Sequence, residues 1–247
     1  MGQARSPLGV ADLQRVAARG WRALEEERLG DWLLRAAGGF TGRANSALVV
    51  GSPGLPPAEA VAAVARWYAD RGLTPWAMLP GVQARPADAA FAAAGWQRGD
   101  TVLVLTAPLG PVPVVAVPVE LSPSPDDAWL AAYADGRVLP PAARQVLTSA
   151  ETVVFAAVRD AGGAPVAVGR GVLTDGWLGV SAVSVDPAHR RQGLGTALLD
   201  ALRAWAVARG GHSVYLQVTE DNAPARELYR RAGLIEQHRY WYRRLSG

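Results

Sequence analysis

The stretch Val183-Ser184-Val185-Asp186-Pro187-Ala188-His189-Arg190-Arg191-Gln192-Gly193-Leu194-Gly195-Thr196 constrains this chain more than any other. A β-branched run stops at Asp186-Pro187, a pair that starts a turn. A basic loop follows, and Leu198, Leu202 and Trp205 then recur at helical spacing. A strand that enters a helix through such a Gly-rich loop points several backbone N–H groups at one spot. The helix start adds partial positive charge there. Gly193 and Gly195 leave no side chain to hold an anion away. The junction predicts a pyrophosphate cradle in a fold that mixes strands and helices.

Composition permits that fold and removes several alternatives. A length of 247 residues suits one large domain or two of about 120 residues. Half the residues are apolar and 19% are charged, which fits a packed core and argues against disorder. The absence of cysteine excludes disulfides and thiolate zinc sites. His189, His212 and His238 do not have metal-ligand spacing. No apolar run reaches the roughly 20 residues that cross a bilayer, and Met1 to Pro7 lack the apolar stretch of a signal peptide. The expectation is a cytoplasmic protein that uses no membrane. The net charge of +3 comes without a long Lys/Arg tract or a nucleic-acid module, so it favours a small anionic ligand over nucleic acid.

The sequence repeats. Trp67 matches Trp205, Arg71 matches Arg209, Gly72 matches Gly210, Pro86-Ala87 matches Pro224-Ala225 and Gly95 matches Gly233, always 138 residues apart. Chance likeness between two Ala-rich helices is the competing reading, and the Pro and Gly matches weigh against it. In the second copy, strands are expected over 152–159, 165–173, 177–185 and 213–218, with helices over 196–209 and 223–231. Tyr240-Trp241-Tyr242 belongs to a closing strand. In the first copy, strands are expected over 32–36, 44–50, 74–79 and 101–107, with helices over 57–71 and 86–94. Glu25-Glu26-Glu27 reads as a solvated helix end or loop. Pro108-Leu-Gly-Pro-Val-Pro113 reads as a linker, followed by a strand over 114–119 and a helix over 127–134. The expected units are residues 1–110 and 111–247.

Arg190-Arg191-Gln192-Gly193-Leu194-Gly195 and, downstream, Asn222-Ala-Pro-Ala225-Arg226-Glu-Leu228-Tyr229-Arg-Arg-Ala-Gly233 together resemble the two signatures of the GNAT superfamily of acetyl-CoA-dependent N-acetyltransferases. The likeness covers about residues 114–247. It implies the GNAT fold, a mixed central sheet flanked by helices, here as two tandem copies. It implies acetyl-CoA as cosubstrate, its pyrophosphate held by the backbone of Gln192, Gly193, Leu194, Gly195 and Thr196, with Arg190 and Arg191 nearby. It implies that Asn222 and its neighbour Ala225 lie by the pantetheine arm. It implies that Tyr229 protonates the departing thiolate. Physical chemistry agrees with these roles. Attack on a thioester develops charge first on the acetyl oxygen, which a backbone N–H from Val183, Ser184 or Val185 can meet. A phenol with a pKa of about 10 is a proton donor of suitable strength. The base that relieves the amine is left open among Asp175, Asp186, Glu220 and Asp221.

Each residue also has a plainer reading. A lone loop of this kind is commonly a surface turn. Asn222 could simply cap a helix, and Tyr229 could simply pack. The two signatures in order, on strand–loop–helix–strand–helix, favour the enzyme. The other class of function is a CoA-binding sensor or scaffold whose catalysis is vestigial.

The first copy lacks these parts. Phe91 stands at the position of Tyr229 and Ala84 at that of Asn222. Gly51-Ser-Pro-Gly-Leu-Pro-Pro57 replaces the basic loop and removes three N–H donors. A degenerate first copy that shapes the acceptor side is expected. The polar stretch Arg35 to Ser46, with Thr41, Arg43 and Asn45, reads either as acceptor recognition or as a hairpin satisfying its own turns. Trp129, Tyr133, Trp177 and Tyr240 read as an aromatic acceptor pocket or as core. The acceptor is a small-molecule or peptide amine, and the state is monomer or homodimer.

Overall fold

A computed structural model describes residues 8–111 and 117–245. The chain runs α1 (Val10–Gly20), β1 (Glu25–Leu29), β2 (Trp32–Ala36), β3 (Ala47–Leu48), α2 (Pro57–Ala69), β4 (Trp76–Pro80), α3 (Arg85–Ala93) and β5 (Gln97–Pro108). It continues through β6 (Glu120–Ser122), α4 (Asp127–Ala134), α5 (Ala142–Thr148), β7 (Val153–Arg159), β8 (Pro165–Thr174), β9 (Trp177–Val185), α6 (Leu194–Val207), β10 (Ser213–Thr219), α7 (Ala223–Arg231) and β11 (Ile235–Arg244). All these strands join one mixed sheet in the order β1-β2-β3-β4-β11-β5-β10-β9-β8-β7-β6.

The 138-residue repeat is built into this order. α3 and α7 coincide residue for residue under that shift, and α2 with α6 and β5 with β11 coincide within two residues. The closing strand of each repeat lies beside the other repeat. β11 pairs with β4, and β5 pairs with β10. The two closing strands pair antiparallel with each other, Thr106 opposite Ile235 and Gln97 opposite Arg244. Those two pairs exchange under the 138-residue shift, so the repeats share a local two-fold axis through the β5–β11 ladder. A cut after residue 110 would take from the first half β11, which lies between β4 and β5, and from the second half β5, which lies between β11 and β10.

One face of the sheet carries α2, α3, α6 and α7. Leu194, Leu198, Leu202 and Trp205 of α6 pack there with Leu178, Val180, Val214, Leu216 and Val218. Over the first repeat, Val61, Val64 and Trp67 of α2 pack with Leu34, Ala47, Ala77 and Leu79. The opposite face carries α1, α4 and α5. Leu13 and Val16 of α1 cover Leu48, Met78, Val102 and Val104. Trp129 of α4 and Val146 of α5 cover Phe155 and Val168.

The structure departs from the sequence reading in four places. Glu25 to Glu27 is an edge strand, because its alternating carboxylates meet Arg71 and the Trp67 indole of α2. Only Ala47–Leu48 of the strand expected over 44–50 forms, after a 3-10 turn at Gly42–Ala44. The strand expected over 114–119 falls partly outside the described residues, and its described end, 117–119, is irregular before β6. Helices α1 and α5 have no counterpart among the expected elements.

Candidate functional site

β9 and β10 are parallel neighbours only from Ser213 opposite Trp177 to Leu216 opposite Val180. Beyond that point the strands part, while β9 runs on to Val185 and β10 to Thr219. On its other side β9 keeps β8, with an extra residue between Ser181 and Ser184 that β8 does not match. Ala182 takes up that bulge with φ +52°, a costly conformation for a residue with a Cβ. The bulge turns the backbone of Val183, Ser184 and Val185 along an edge without a β10 partner.

The loop after β9 is held from below. Asp186 accepts from Ala188 N–H at 2.8 Å and faces His189. Its carboxyl lies below the usual range, first through the Ala188 bond and then through His189. Arg190 folds back, its Nε donating to Val185 O at 3.2 Å. Arg191 (φ +60°) and Gly193 (φ +78°) both take the left-handed conformation, which turns the chain sharply into α6. Arg191, Gln192 and Gly193 are exposed.

No side chain caps α6. The N–H groups of its first turn, from Leu194, Gly195 and Thr196, have no intrahelical partner by construction. A methyl group built on Gly193 would meet no protein atom within 4 Å, so the space before the helix is open. One on Gly195 would come within 3.1 Å of Leu228, so the glycine lets α6 lie close against α7. An uncapped helix start, open space and two flexible arginines suit a pyrophosphate.

α7 brings Asn222 and Tyr229. The Asn222 carboxamide accepts from Ala225 N–H at 3.2 Å, so it caps α7 whatever else its NH₂ group contacts. Tyr229 is 8% exposed and packs with the α6 core. Its hydroxyl has no hydrogen-bond partner among the described residues, and it is not among the side-chain atoms sealed from solvent. Burial pushes the phenol up to about 12, so it stays protonated throughout the neutral range.

Of the carboxylates considered as the base, Asp221 lies exposed in the turn before α7, and the other three are engaged. Asp175 pairs with Arg19 at the far end of β9. Asp186 is committed to its turn, and Glu220 pairs with Arg239 at 3.0 Å. The aromatic residues are packed. Trp129, Trp177 and Tyr240 are buried, and Tyr133 stacks on Trp129 at 5.7 Å. In the stretch from Arg35 to Ser46, Asn45 accepts from Ala37 and Gly39 and donates to Phe40 and Thr41. Arg35 bonds Ser46. These residues satisfy their own turns; Arg43 is the exception.

The matching loop of the first repeat is filled by its own chain. Ser52 N–H donates to Asp31, Asp31 N–H donates to Ser52 O, and the Trp32 indole donates to Gly51 O. α2 begins at Pro57. Phe91 is fully buried between Trp32 and Trp96. A cavity of about 960 Å³ lies away from the parted strands, along α1 and the β1–β2 hairpin, with Asp175 and Trp177 at its rim.

Arg170 is a site residue that sequence reasoning does not single out. It is 1% exposed in the middle of β8. The signal that could have found it is a charge inside the apolar run Pro165 to Leu173.

Residues 9–243 match the family described as the C-terminal region of the probable histone acetyltransferase Rv0428c. The chain is 30% identical over 216 residues to the probable histone acetyltransferase Rv0428c of Mycobacterium tuberculosis, covering 85% of this chain and 66% of that protein. It therefore spans just under two thirds of that relative's length. It is 25% identical over 249 residues to the uncharacterized N-acetyltransferase YobR of Bacillus subtilis, covering 95% of this chain and 99% of that protein. A GCN5-related N-acetyltransferase from Kribbella flavida, 20% identical, shares the fold with a TM-score of 0.71 over 96% of each chain.

Proposed function

This chain belongs to the Rv0428c C-terminal acetyltransferase family, within the GNAT superfamily, and on that premise we propose that its second repeat transfers an acetyl group from acetyl-CoA to a primary amine. The observation that carries the proposal is the parting of β9 from β10 between the uncapped start of α6 and the unpartnered hydroxyl of Tyr229.

Acetyl-CoA would supply the activated thioester. The backbone of Gln192, Gly193, Leu194, Gly195 and Thr196 would hold its pyrophosphate, with Arg190 and Arg191 at the rim. Asn222 and Ala225 would border the pantetheine arm. The free edge of Val183, Ser184 and Val185 would offer an N–H to the acetyl oxygen as charge develops there. Transfer forms a C–N bond and breaks the C–S bond in one ternary complex. Tyr229 gives its proton to the departing sulfur, and water takes the proton lost by the amine. A phenol raised to about 12 would be a reluctant donor in water. Inside the cleft the same desolvation raises the basicity of the thiolate, which keeps the two groups matched.

The first repeat does not take part in cofactor binding on this reading. Its loop spends the Ser52 N–H on Asp31, and Phe91 offers no proton. It serves as a structural partner and closes the acceptor side.

Tyr229→Phe tests the assignment. The turnover number should fall at least 100-fold, with the acetyl-CoA Kd within twofold of wild type. Unchanged turnover would remove Tyr229 from the chemistry.

A further inference from the structure

On the face of the sheet opposite α6, directly beneath the point where β9 and β10 part, lies a small chamber lined by Trp21, Arg43, Arg170, Ser181, Tyr215 and Gln217. Arg170 enters it from β8. Its Nε donates to Leu147 O at 2.6 Å, and its Nη1 donates to Gly20 O at 3.1 Å and Ser181 Oγ at 3.4 Å. Its Nη2 is sealed from solvent and has no acceptor among the described residues. Arg43 brings a second guanidinium. It lies 4.1 Å from the Trp21 ring centre, with Arg170 at 4.9 Å from the same ring. The Trp21 indole is pinned by its bond to Thr41 Oγ1 at 2.9 Å.

Among the described residues no carboxylate pairs with either arginine. Elsewhere in the chain Arg71, Arg144, Arg159, Arg239 and Arg243 have acidic partners; Arg35 is likewise buried among neutral acceptors, and Arg170 differs from it in its sealed, unbonded Nη2 and its second arginine neighbour. Burial, and then the neighbouring charge of Arg43, lowers the Arg170 guanidinium to about 9, which still leaves it a cation at neutral pH. A buried cation without a counter-ion is strongly unfavourable, and one hydrogen-bonded to neutral groups alone is only partly relieved. The site lacks one negative charge with acceptor oxygens; Arg170 has Nη2 unbonded, and Arg43 supplies a second guanidinium for a carboxylate.

We propose that this chamber binds the carboxylate of the acceptor, making the acceptor a free amino-acid-type molecule that carries amine and carboxylate together. The inference rests on the acetyltransferase reading and adds the substrate class. The position of the chamber supports it. Ser181 and Gln217 follow the last pair of β9 and β10, so an anion held beside them lies at the opening between the two strands. The open volume of about 10 Å³ is about the size of one water, so a carboxylate enters as the half-buried Arg43 side chain turns toward it, and a bulky phosphate ester is excluded. A lysine within a protein chain has no free carboxylate to offer there.

The test has two arms. In the first, thiol release from acetyl-CoA is followed with the free amino acids and with their carboxamides. The acids should exceed their amides at least 100-fold in kcat/KM. Arg43→Gln, at a half-buried position, should raise the KM of the acid at least tenfold and erase the preference. Equal rates for acids and amides, or an Arg43→Gln loss shared by both, would overturn the proposal. In the second arm, thermal unfolding is measured with sodium acetate and with sodium chloride at equal ionic strength. Acetate should raise the Tm of wild type and not of Arg43→Gln. No acetate effect, or an equal chloride effect, would overturn the carboxylate site. This arm needs no turnover. A protein that binds acetate at Arg43 and releases no thiol with any amine would therefore refute the enzyme reading and leave the anion site standing.

Discussion

Asp88→Ala should destabilise the whole chain, because Asp88 joins the two repeats. It lies on α3 of the first repeat and accepts from Arg243 Nε at 2.6 Å and the Trp241 indole at 2.8 Å, both on β11 of the second. Arg243 also donates to Trp96 O at 2.8 Å. The Arg243 and Asp88 side chains are 13% and 18% exposed. Removing the carboxylate strands a largely buried guanidinium and an indole N–H. Breaking a buried pair from one side costs ~3–5 kcal/mol, and the residual exposure points to the low end, about 3 kcal/mol. For a chain of this size each kcal/mol shifts Tm by roughly 2–4 °C, so a fall of about 6–12 °C is expected.

The assay is thermal unfolding by circular dichroism beside Glu25→Ala, which removes an exposed partner of Arg71 and should change little. Burial works to raise the Asp88 carboxyl, yet the bonds from Arg243 and Trp241 hold it below the usual value. A carboxyl with its folded pKa depressed contributes stability that is present above its unfolded value and lost as pH falls through the folded one. The gap between wild type and Asp88→Ala should therefore narrow below about pH 4, where the unfolded chain begins to take up the Asp88 proton, and close as pH falls through the lower folded value. A Tm loss no greater than that of Glu25→Ala would refute the reasoning.

Two further outcomes follow from buried or strained groups. Burial lowers His238 to about 4, and the neutral ring meets Gln14 of α1 at 2.8 Å. Because the folded value lies below the unfolded one, this contribution is complete above about pH 6.5 and is lost as pH falls through 4; Tm measured against pH should flatten over that window in His238→Gln. Gly193→Ala should cost about 1 kcal/mol of stability through its positive φ alone, since no protein atom obstructs the methyl, and should weaken acetyl-CoA binding at least tenfold by calorimetry.

Several elements bounded by clear turn residues were legible in the sequence. α4, β9 and α7 form at the expected residues, and the 138-residue spacing revealed the repeat. The exchange of β5 and β11 was not legible, because either partner offers a strand the same alternating pattern and the register is settled by tertiary contacts such as Asp88 with Arg243. Glu25 to Glu27 carries no apolar residue and so hid an edge strand whose pairing depends on β2 and α2. At the site, the Gly-rich loop stood out because a sharp strand-to-helix turn leaves glycines in the sequence, and Tyr229 stood out only through the resemblance of its helix to a family signature. Arg170 was obscured because its meaning depends on Trp21 and Arg43, which are distant in the chain and meet it only in the fold.

Calorimetric titration of acetyl-CoA into the purified chain tests the central claim most directly. The account predicts one site per chain with submillimolar affinity, placed in the second repeat. Two equivalent sites would contradict the division of labour between the repeats, and no binding would contradict the claim that this chain uses acetyl-CoA.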